Sequence, residues 1–259
     1  MKLLKNEIFR SVVFALCLGV IIYECIGLYR DNREYSISDK EYQTLADDMV
    51  SSPDNDQLPE GATYPVLNID YAQLKSINPD FTAWLYFPYF DLNYPVVHET
   101  EIDQYLNKTF DGTPNRAGCL FTDILSSPDF TGFHDIIFGH NMRNGSMFGR
   151  LKKLRQIDDR ENLKLNPYIY VYTESAVYQY QIFAFYITTV GSDAYSVVTN
   201  DDEYDSFLNY IYSQSLFSKP EGLDLSAHPS ILTLSTCSGS SGSGRRFVIH
   251  AAKVNAWLE

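Results

Sequence analysis

Cysteine is scarce in this chain. Four thiols occur among 259 residues, at positions 17, 25, 119 and 237, and the first two fall within one N-terminal apolar run. A disulfide-stapled scaffold is therefore excluded, because such scaffolds need several pairs at regular spacings. Metal-binding signatures are missing too: there is no Cys-x-x-Cys, no His-Glu-x-x-His and no carboxylate cluster, so the expectation is neither a metal nor any other cofactor. Positive charge is in short supply, with 20 Lys and Arg against 33 Asp and Glu and a formal net charge of −13. A phosphate backbone would be repelled, which argues against nucleic acid as a partner.

What is present begins with a membrane signal. Residues 11–28 are apolar apart from Glu24 and follow Lys2, Lys5 and Arg10; such a stretch is long enough to cross a bilayer as a helix. No small-x-small cleavage site follows it, so residues 8–29 read as an uncleaved signal anchor. Basic residues ahead of the segment place residues 1–7 in the cytoplasm and the bulk of the chain outside a cell membrane crossed once. Residues 30–62 read as an acidic extracytoplasmic spacer with turns at Pro53 and Pro59. Within it Ser38 is a helix cap with Glu41 three residues on, and Tyr42, Leu45 and Met49 recur at helical spacing, predicting a helix over 38–50.

Residues 63–259 form one domain. A short helix over 70–77 ends at Asn78-Pro79. Strands dominate thereafter, among them a hairpin of 168–172 and 176–186 about Thr173-Glu174-Ser175, and most of the 20 tyrosines belong to such sheet faces. One later helix, 202–216, sets Phe207, Leu208, Ile211, Tyr212 and Leu216 on one face. Many strands and few helices in a single domain argue for a mainly β fold closed into a barrel.

The chemistry centres on Cys237. It ends the apolar run from Ile231, and a loop of Gly239, Gly242, Gly244 and four serines leads from it to Arg245-Arg246 and a second run, Phe247-Val248-Ile249. A thiol at one strand end thus neighbours a guanidinium at the start of the next, and an adjacent cation favours the thiolate. Of five histidines, His140 stands where the run 136–139 gives way to a polar loop, and two strand ends can meet at one rim. Amide cleavage needs a nucleophile, an oxyanion donor and an acid for the leaving amine, which thiolate, guanidinium and imidazolium supply. The residues alone reach as far as a cysteine acyl transferase or protease, with either arginine as the cation. No acidic residue between 238 and 244 is available to orient the imidazole, which leaves Ser235, Ser238 or Ser240 as a polar helper. A papain-like hydrolase is disfavoured because its cysteine opens a helix early in the chain. A non-catalytic, membrane-anchored barrel that binds wall proteins is the reading from a different class.

The string Thr233-Leu234-Ser235-Thr236-Cys237, then Arg246 before an apolar strand, with Phe138-Gly139-His140-Asn141-Met142 and Gly145-Ser146-Met147-Phe148 upstream, resembles the class B sortases, cysteine transpeptidases of Gram-positive bacteria. Ala83-Trp84-Leu85, Asn93-Tyr94-Pro95-Val96-Val97, Tyr105-Leu106-Asn107 and the segment from Ala117 to Asp123 extend the likeness over about residues 64–254. The resemblance implies an eight-stranded sortase-type barrel with N-terminal helices and one helix in a long late loop lining the peptide groove. It implies Cys237 as nucleophile, His140 as general acid/base and Arg246 as the third essential group, with Leu106, Tyr195 and Ser235 touching substrate. A disulfide between Cys119 and Cys237 would abolish that nucleophile. The implied substrates are secreted proteins carrying a C-terminal sorting motif of the form Asn/Ser/Pro-Pro-x-Thr-Gly/Asn. Cleavage after Thr through a thioacyl-enzyme would be followed by transfer to a peptidoglycan precursor or cross-bridge amine, or by hydrolysis if the enzyme acts as an endopeptidase.

Overall fold

No proline precedes Pro53, and the last glycine before it is Gly27, so nothing after the apolar run breaks a helix. The structure, a computed structural model, describes residues 2–53, 63–239 and 242–258. In it one helix, α1 (Lys2–Met49), runs unbroken from the apolar segment through most of the expected spacer. At 1.5 Å per residue its 48 residues span roughly 70 Å. The helix expected over 38–50 is present as far as Met49, but as the end of α1, so Ser38 does not cap it. Extending a helix already formed adds a bond per residue without a new nucleation cost, and Ser38, buried at mid-helix, donates its hydroxyl back to the Tyr35 carbonyl at 3.0 Å. The first part of α1 is the one described helix long and apolar enough to cross a membrane. Its last turns dock instead: Ser38, Tyr42 and Leu45 recur at helical spacing and are buried. Pro59, expected at a turn, lies outside the described residues.

After a two-residue ladder between β1 (Val50–Ser51) and β2 (Asn68–Ile69), α2 (Tyr71–Ile77) is capped by Asp70, whose carboxylate accepts from the Gln73 amide at 2.9 Å. The strands follow: β3 (Phe81–Phe87), β4 (Leu92–His98), β5 (Leu120–Thr122), β6 (His134–Phe138), β7 (Tyr168–Tyr172), β8 (Ala176–Thr189), β9 (Ile231–Cys237) and β10 (Arg245–Leu258). They close into an eight-stranded barrel in the order β10-β8-β7-β3-β4-β5-β6-β9. Pairing is antiparallel except for β4 with β5 and β6 with β9. The expected hairpin is β7–β8, its turn fixed by Thr173, whose amide donates to the Ala176 carbonyl at 2.8 Å. A short helix, α3 (Ile157–Leu163), precedes β7.

Alternation along β9 and β10 separates two packed regions. Phe247, Ile249, Ala251, Leu232 and Leu234 point into the barrel core. Val248, Ala252 and Ile231 point outward, beneath α4 (Asp201–Gln214), where they meet Tyr204, Phe207 and Ile211. The helix expected over 202–216 is thus present, capped by Asn200, but its buried face differs at two positions. Tyr212 is 38% and Leu216 51% exposed. Leu216 lies beyond the helix end and joins the sheet through its amide to the Phe185 carbonyl, and Tyr212 turns off the stripe set by Tyr204, Phe207 and Ile211.

Under α4 runs a buried polar chain whose directions are fixed by its ends. The Ser196 carbonyl can only accept, so His134 Nδ1 carries a proton toward it at 2.8 Å, leaving Nε2 to accept from Thr233 at 2.7 Å. Thr233 in turn accepts from His250 Nδ1 at 2.8 Å, and His250 Nε2 accepts from Tyr186 at 3.0 Å. Burial pushes the His134 imidazole down to about 4 from 6.5 and His250 well below its usual value, so both are neutral. Between pH 6.5 and about 4 the unfolded chain takes up a proton at residue 134 that the folded chain refuses. Its contribution is therefore complete above pH 6.5 and is lost as pH falls toward 4, a difference of about 3 kcal/mol at 1.36 kcal/mol per pKa unit. Thermal melts of His134→Asn against the parent protein are expected to show a variant less stable at pH 7 and a flatter decline between pH 6.5 and 4; parallel curves would contradict this reading of the imidazole.

Candidate active site

The register of β9 on β10 sets the site. Cys237 lies directly opposite Arg246 in the antiparallel ladder, so their side chains leave the same face of the sheet with Cβ atoms roughly 5 Å apart. Arg245, one residue earlier, points to the other face. The face in question is the outer one, since Arg246, Val248 and His250 alternate with the core-facing Phe247 and Ile249. Arg246 is half-buried and Arg245 exposed; the Arg246 guanidinium donates from Nη1 to the Arg245 carbonyl at 3.1 Å.

His140 reaches the same place by a different strand. β6 pairs parallel with β9, with Phe138 opposite Ser235, and the Gly139 amide donates to the Ser235 carbonyl at 3.1 Å. Gly139 has no room for a side chain, since a Cβ there would fall 2.4 Å from Leu120 Cδ2. Beyond it, residues 140–148 fold back on themselves: Asn141 bridges Met147, and the Phe148 amide donates to the His140 carbonyl at 3.0 Å. The imidazole donates from Nε2 to the Leu106 carbonyl at 2.7 Å, and because a carbonyl only accepts, Nδ1 is the nitrogen left to exchange a proton. The ring rests on Gly118, whose φ is +63° and where a Cβ would meet His140 Cδ2 at 2.9 Å and Leu106 O at 2.8 Å.

These residues open on one groove of about 570 Å³. All six positions singled out in the sequence line it: Cys237, His140, Arg246, Leu106, Tyr195 and Ser235. Among the five histidines only His140 does so; His98 pairs with Thr122, His228 with Asp201 and Asp205, and His134 and His250 belong to the chain beneath α4. Tyr195 follows β8 in the connection toward α4, stacks on Phe138 at 6.1 Å between centroids, and shares a hydrogen bond of 2.9 Å with Ser235. Burial raises its phenol above the usual range, and the Ser235 hydroxyl and the Arg246 charge partly oppose that rise. Its neighbour Ser196 is the residue held by His134, so the buried chain also fastens this wall.

Several participants carry no signal in residue spacing. The partner of the imidazole is a backbone carbonyl, that of Leu106, in place of an acidic side chain. Asn141 donates to the Cys237 carbonyl at 2.8 Å and accepts from Lys152 at 3.2 Å, which makes it the polar neighbour of the thiol-bearing strand end. Its position directly after His140 was the available clue. Of the serines considered, Ser235 is taken up by Tyr195, Ser238 is buried with its amide on the Arg245 carbonyl, and Ser240 lies outside the described residues. Glu99, Asp103 and Asp123 also line the groove. Glu99 is 3% exposed, and burial, with Asp103 and Asp123 acting in the same sense, raises its carboxyl above the usual range despite the Tyr105 amide it accepts.

A closed mixed barrel that presents thiol, imidazole and guanidinium to one external groove has the parts of a cysteine acyl-transfer enzyme. Residues 85–254 match the family model described as the sortase domain. Sortase B of Listeria monocytogenes is 29% identical over 201 residues, which cover 76% of this chain and 78% of that protein. Among solved structures, sortase B from B. anthracis in complex with AAEK1 superposes with a TM-score of 0.69 at 28% identity, covering 86% of this chain and 99% of that one. A sortase B complexed with triglycine gives 0.64 at 26% identity, over 71% and 85%. The chain belongs to the sortase family, and it is a cysteine transpeptidase of the sortase B type.

The two thiols of the barrel differ sharply in environment. Cys119 is fully buried and desolvation pushes it up to about 12, whereas Cys237 is exposed at the groove. A membrane-impermeant maleimide added at pH 7 is expected to label Cys237 and leave Cys119 unmodified until the protein is denatured, as read by peptide mapping. Equal labelling of both in the folded protein would contradict this geometry.

Proposed function

We propose that Cys237, His140 and Arg246 are the catalytic residues, and that they carry a surface protein from its C-terminal sorting motif to a cell-wall amine. The observation that carries the reading is the cross-strand pairing of Cys237 with Arg246 on a groove that also receives His140. The Cys237 thiolate attacks the carbonyl of the motif's Thr, and charge develops on that oxygen beside the Arg246 guanidinium, which remains protonated at any physiological pH. As the intermediate collapses, His140 gives its Nδ1 proton to the departing amine, leaving a thioester on Cys237. The acceptor amine then surrenders a proton to the same Nδ1, attacks the thioester and frees the thiolate. One nitrogen serves both half-reactions because Nε2 stays engaged with Leu106.

Leu106, Tyr195 and Ser235 form the walls that hold the sorting peptide, whose form we take to be Asn/Ser/Pro-Pro-x-Thr-Gly/Asn. The acidic lining formed by Glu99, Asp103 and Asp123 suits an acceptor that arrives as an ammonium ion and gives its extra proton to solvent before the free amine attacks. The sortase B relative crystallised with triglycine supports an amine as the second substrate. Residues 8–29 are the membrane anchor, residues 1–7 the cytoplasmic end, and the domain from 63 onward acts outside the cell. The unbroken α1 carries residues 30–49 of the proposed spacer onto the barrel.

Incubation of sorting peptides with the enzyme, read by mass spectrometry, tests these roles. Cleavage after Thr and transfer to an added glycine amine are expected with the parent protein and are abolished by Cys237→Ala and His140→Ala. Arg246→Ala is expected to lower turnover by about 10²-fold, the usual loss for one oxyanion donor, while Arg245→Ala stays within about twofold, since its side chain leaves the opposite face. Equal losses at the two arginines would overturn the assignment.

A further inference from the structure

The docked end of α1 touches both segments that seat His140. Tyr42, 3% exposed, donates its hydroxyl to the Gly118 carbonyl at 2.7 Å. Gly118 is the residue on which the imidazole lies, with no space for a Cβ between them, and the Leu106 carbonyl that accepts from His140 Nε2 would stand 2.8 Å from that Cβ. On its other side the Tyr42 ring meets Tyr94 edge-on at 5.5 Å, and the Tyr94 hydroxyl accepts from the Met147 amide at 3.2 Å, in the loop that begins at His140. Asp39, three residues before Tyr42 and hence on the same face of the helix, accepts from Asn144 of that loop at 2.6 Å. One helix face therefore braces the floor and the flank of the imidazole at once.

We infer that Tyr42, with Asp39, is a positioning residue for His140: the phenol fixes the Gly118 peptide, and that peptide fixes where the imidazole sits and how squarely Nε2 faces Leu106. This rests on the proposed role of His140 for its catalytic consequence, though not for the geometry itself. The physical reason is steric. With the peptide at 118 free to rotate, the ring loses its rest and the Leu106 bond lengthens, and displacement of a catalytic group by about 1 Å costs up to 10²-fold in rate. Tyr42 and Asp39 lie on the same unbroken helix as the apolar segment, so the element that spans the proposed membrane also orders the active site.

The test uses the full chain in lipid nanodiscs, comparing parent protein, Tyr42→Phe and Asp39→Ala. Tyr42→Phe keeps the ring against Tyr94 and removes only the hydroxyl. Two readouts are taken: titration of the His140 imidazole by NMR, and kcat and KM for a sorting peptide across pH, corrected for the fraction of reactive Cys237. For Tyr42→Phe the expected result is a displaced His140 titration, kcat lower by about tenfold and KM within twofold. Asp39→Ala should shift both in the same direction by less, and it decides the matter if Tyr42→Phe does not fold. An unchanged titration with kcat within twofold in the folded variants overturns the inference, as does a loss of kcat matched by the loss of reactive thiol. Should the parent protein turn over no peptide at all, the transpeptidase roles fail, and the His140 titration still decides whether Tyr42 positions the ring.

Discussion

Cys237 and Arg246 face the same solvent because β9 and β10 pair antiparallel with these two residues directly opposite. A slip of one residue would send one of the side chains into the barrel. That register is held firmly from within: Leu232, Leu234, Phe247 and Ile249 are all buried in the core, and none can turn outward without exposing apolar surface. The chemistry is thus coupled to the hydrophobic pattern of two strands. The same alternation that fills the core forces thiol and guanidinium onto the other face, where the connection through Tyr195 walls the groove.

His140 is brought to that face through β6, which runs parallel with β9. A parallel neighbour ends at the same rim as Cys237, so the polar loop after Phe138 begins where β9 stops. The imidazole is then oriented by backbone and packing, not by a carboxylate: Leu106 O takes Nε2–H and Gly118 supplies the rest beneath the ring. The partner of Nε2 is thus a neutral acceptor, with no fixed negative charge bonded to the ring. The groove is therefore built from strand ends and the connections that follow β4, β5, β6 and β8, with the His134–Thr233–His250 chain fastening the wall that carries Tyr195.

Much of this was legible in the residues. The strand ends at Cys237 and Phe138, the arginine ahead of Phe247 and the hairpin at Thr173 all follow from apolar runs bounded by polar or glycine-rich turns, and each lies where the pattern places it. The resemblance implies Arg246 in place of Arg245, but which of the two shares a face with Cys237 needs register, which single strands do not encode and a ladder does. The resemblance alone implies Leu106 at the groove, and its carbonyl's hold on His140 carries no signal in sequence, since every residue type offers the same carbonyl. The capping pattern at Ser38 does not start a helix because, with no glycine or proline between Gly27 and Pro53, α1 simply continues through it. Helical spacing alone puts Tyr212 and Leu216 on the buried face of α4, but the helix ends at Gln214 and packing buries only the narrower stripe of Tyr204, Phe207, Leu208 and Ile211.

The most direct measurement is to trap the acyl-enzyme. With a sorting peptide present and no amine acceptor, intact-protein and peptide-level mass spectrometry should find the peptide, truncated after its Thr, joined to Cys237 as a thioester that added glycine amine discharges. An acyl group on any other residue, or turnover with Cys237 never modified, would contradict the account.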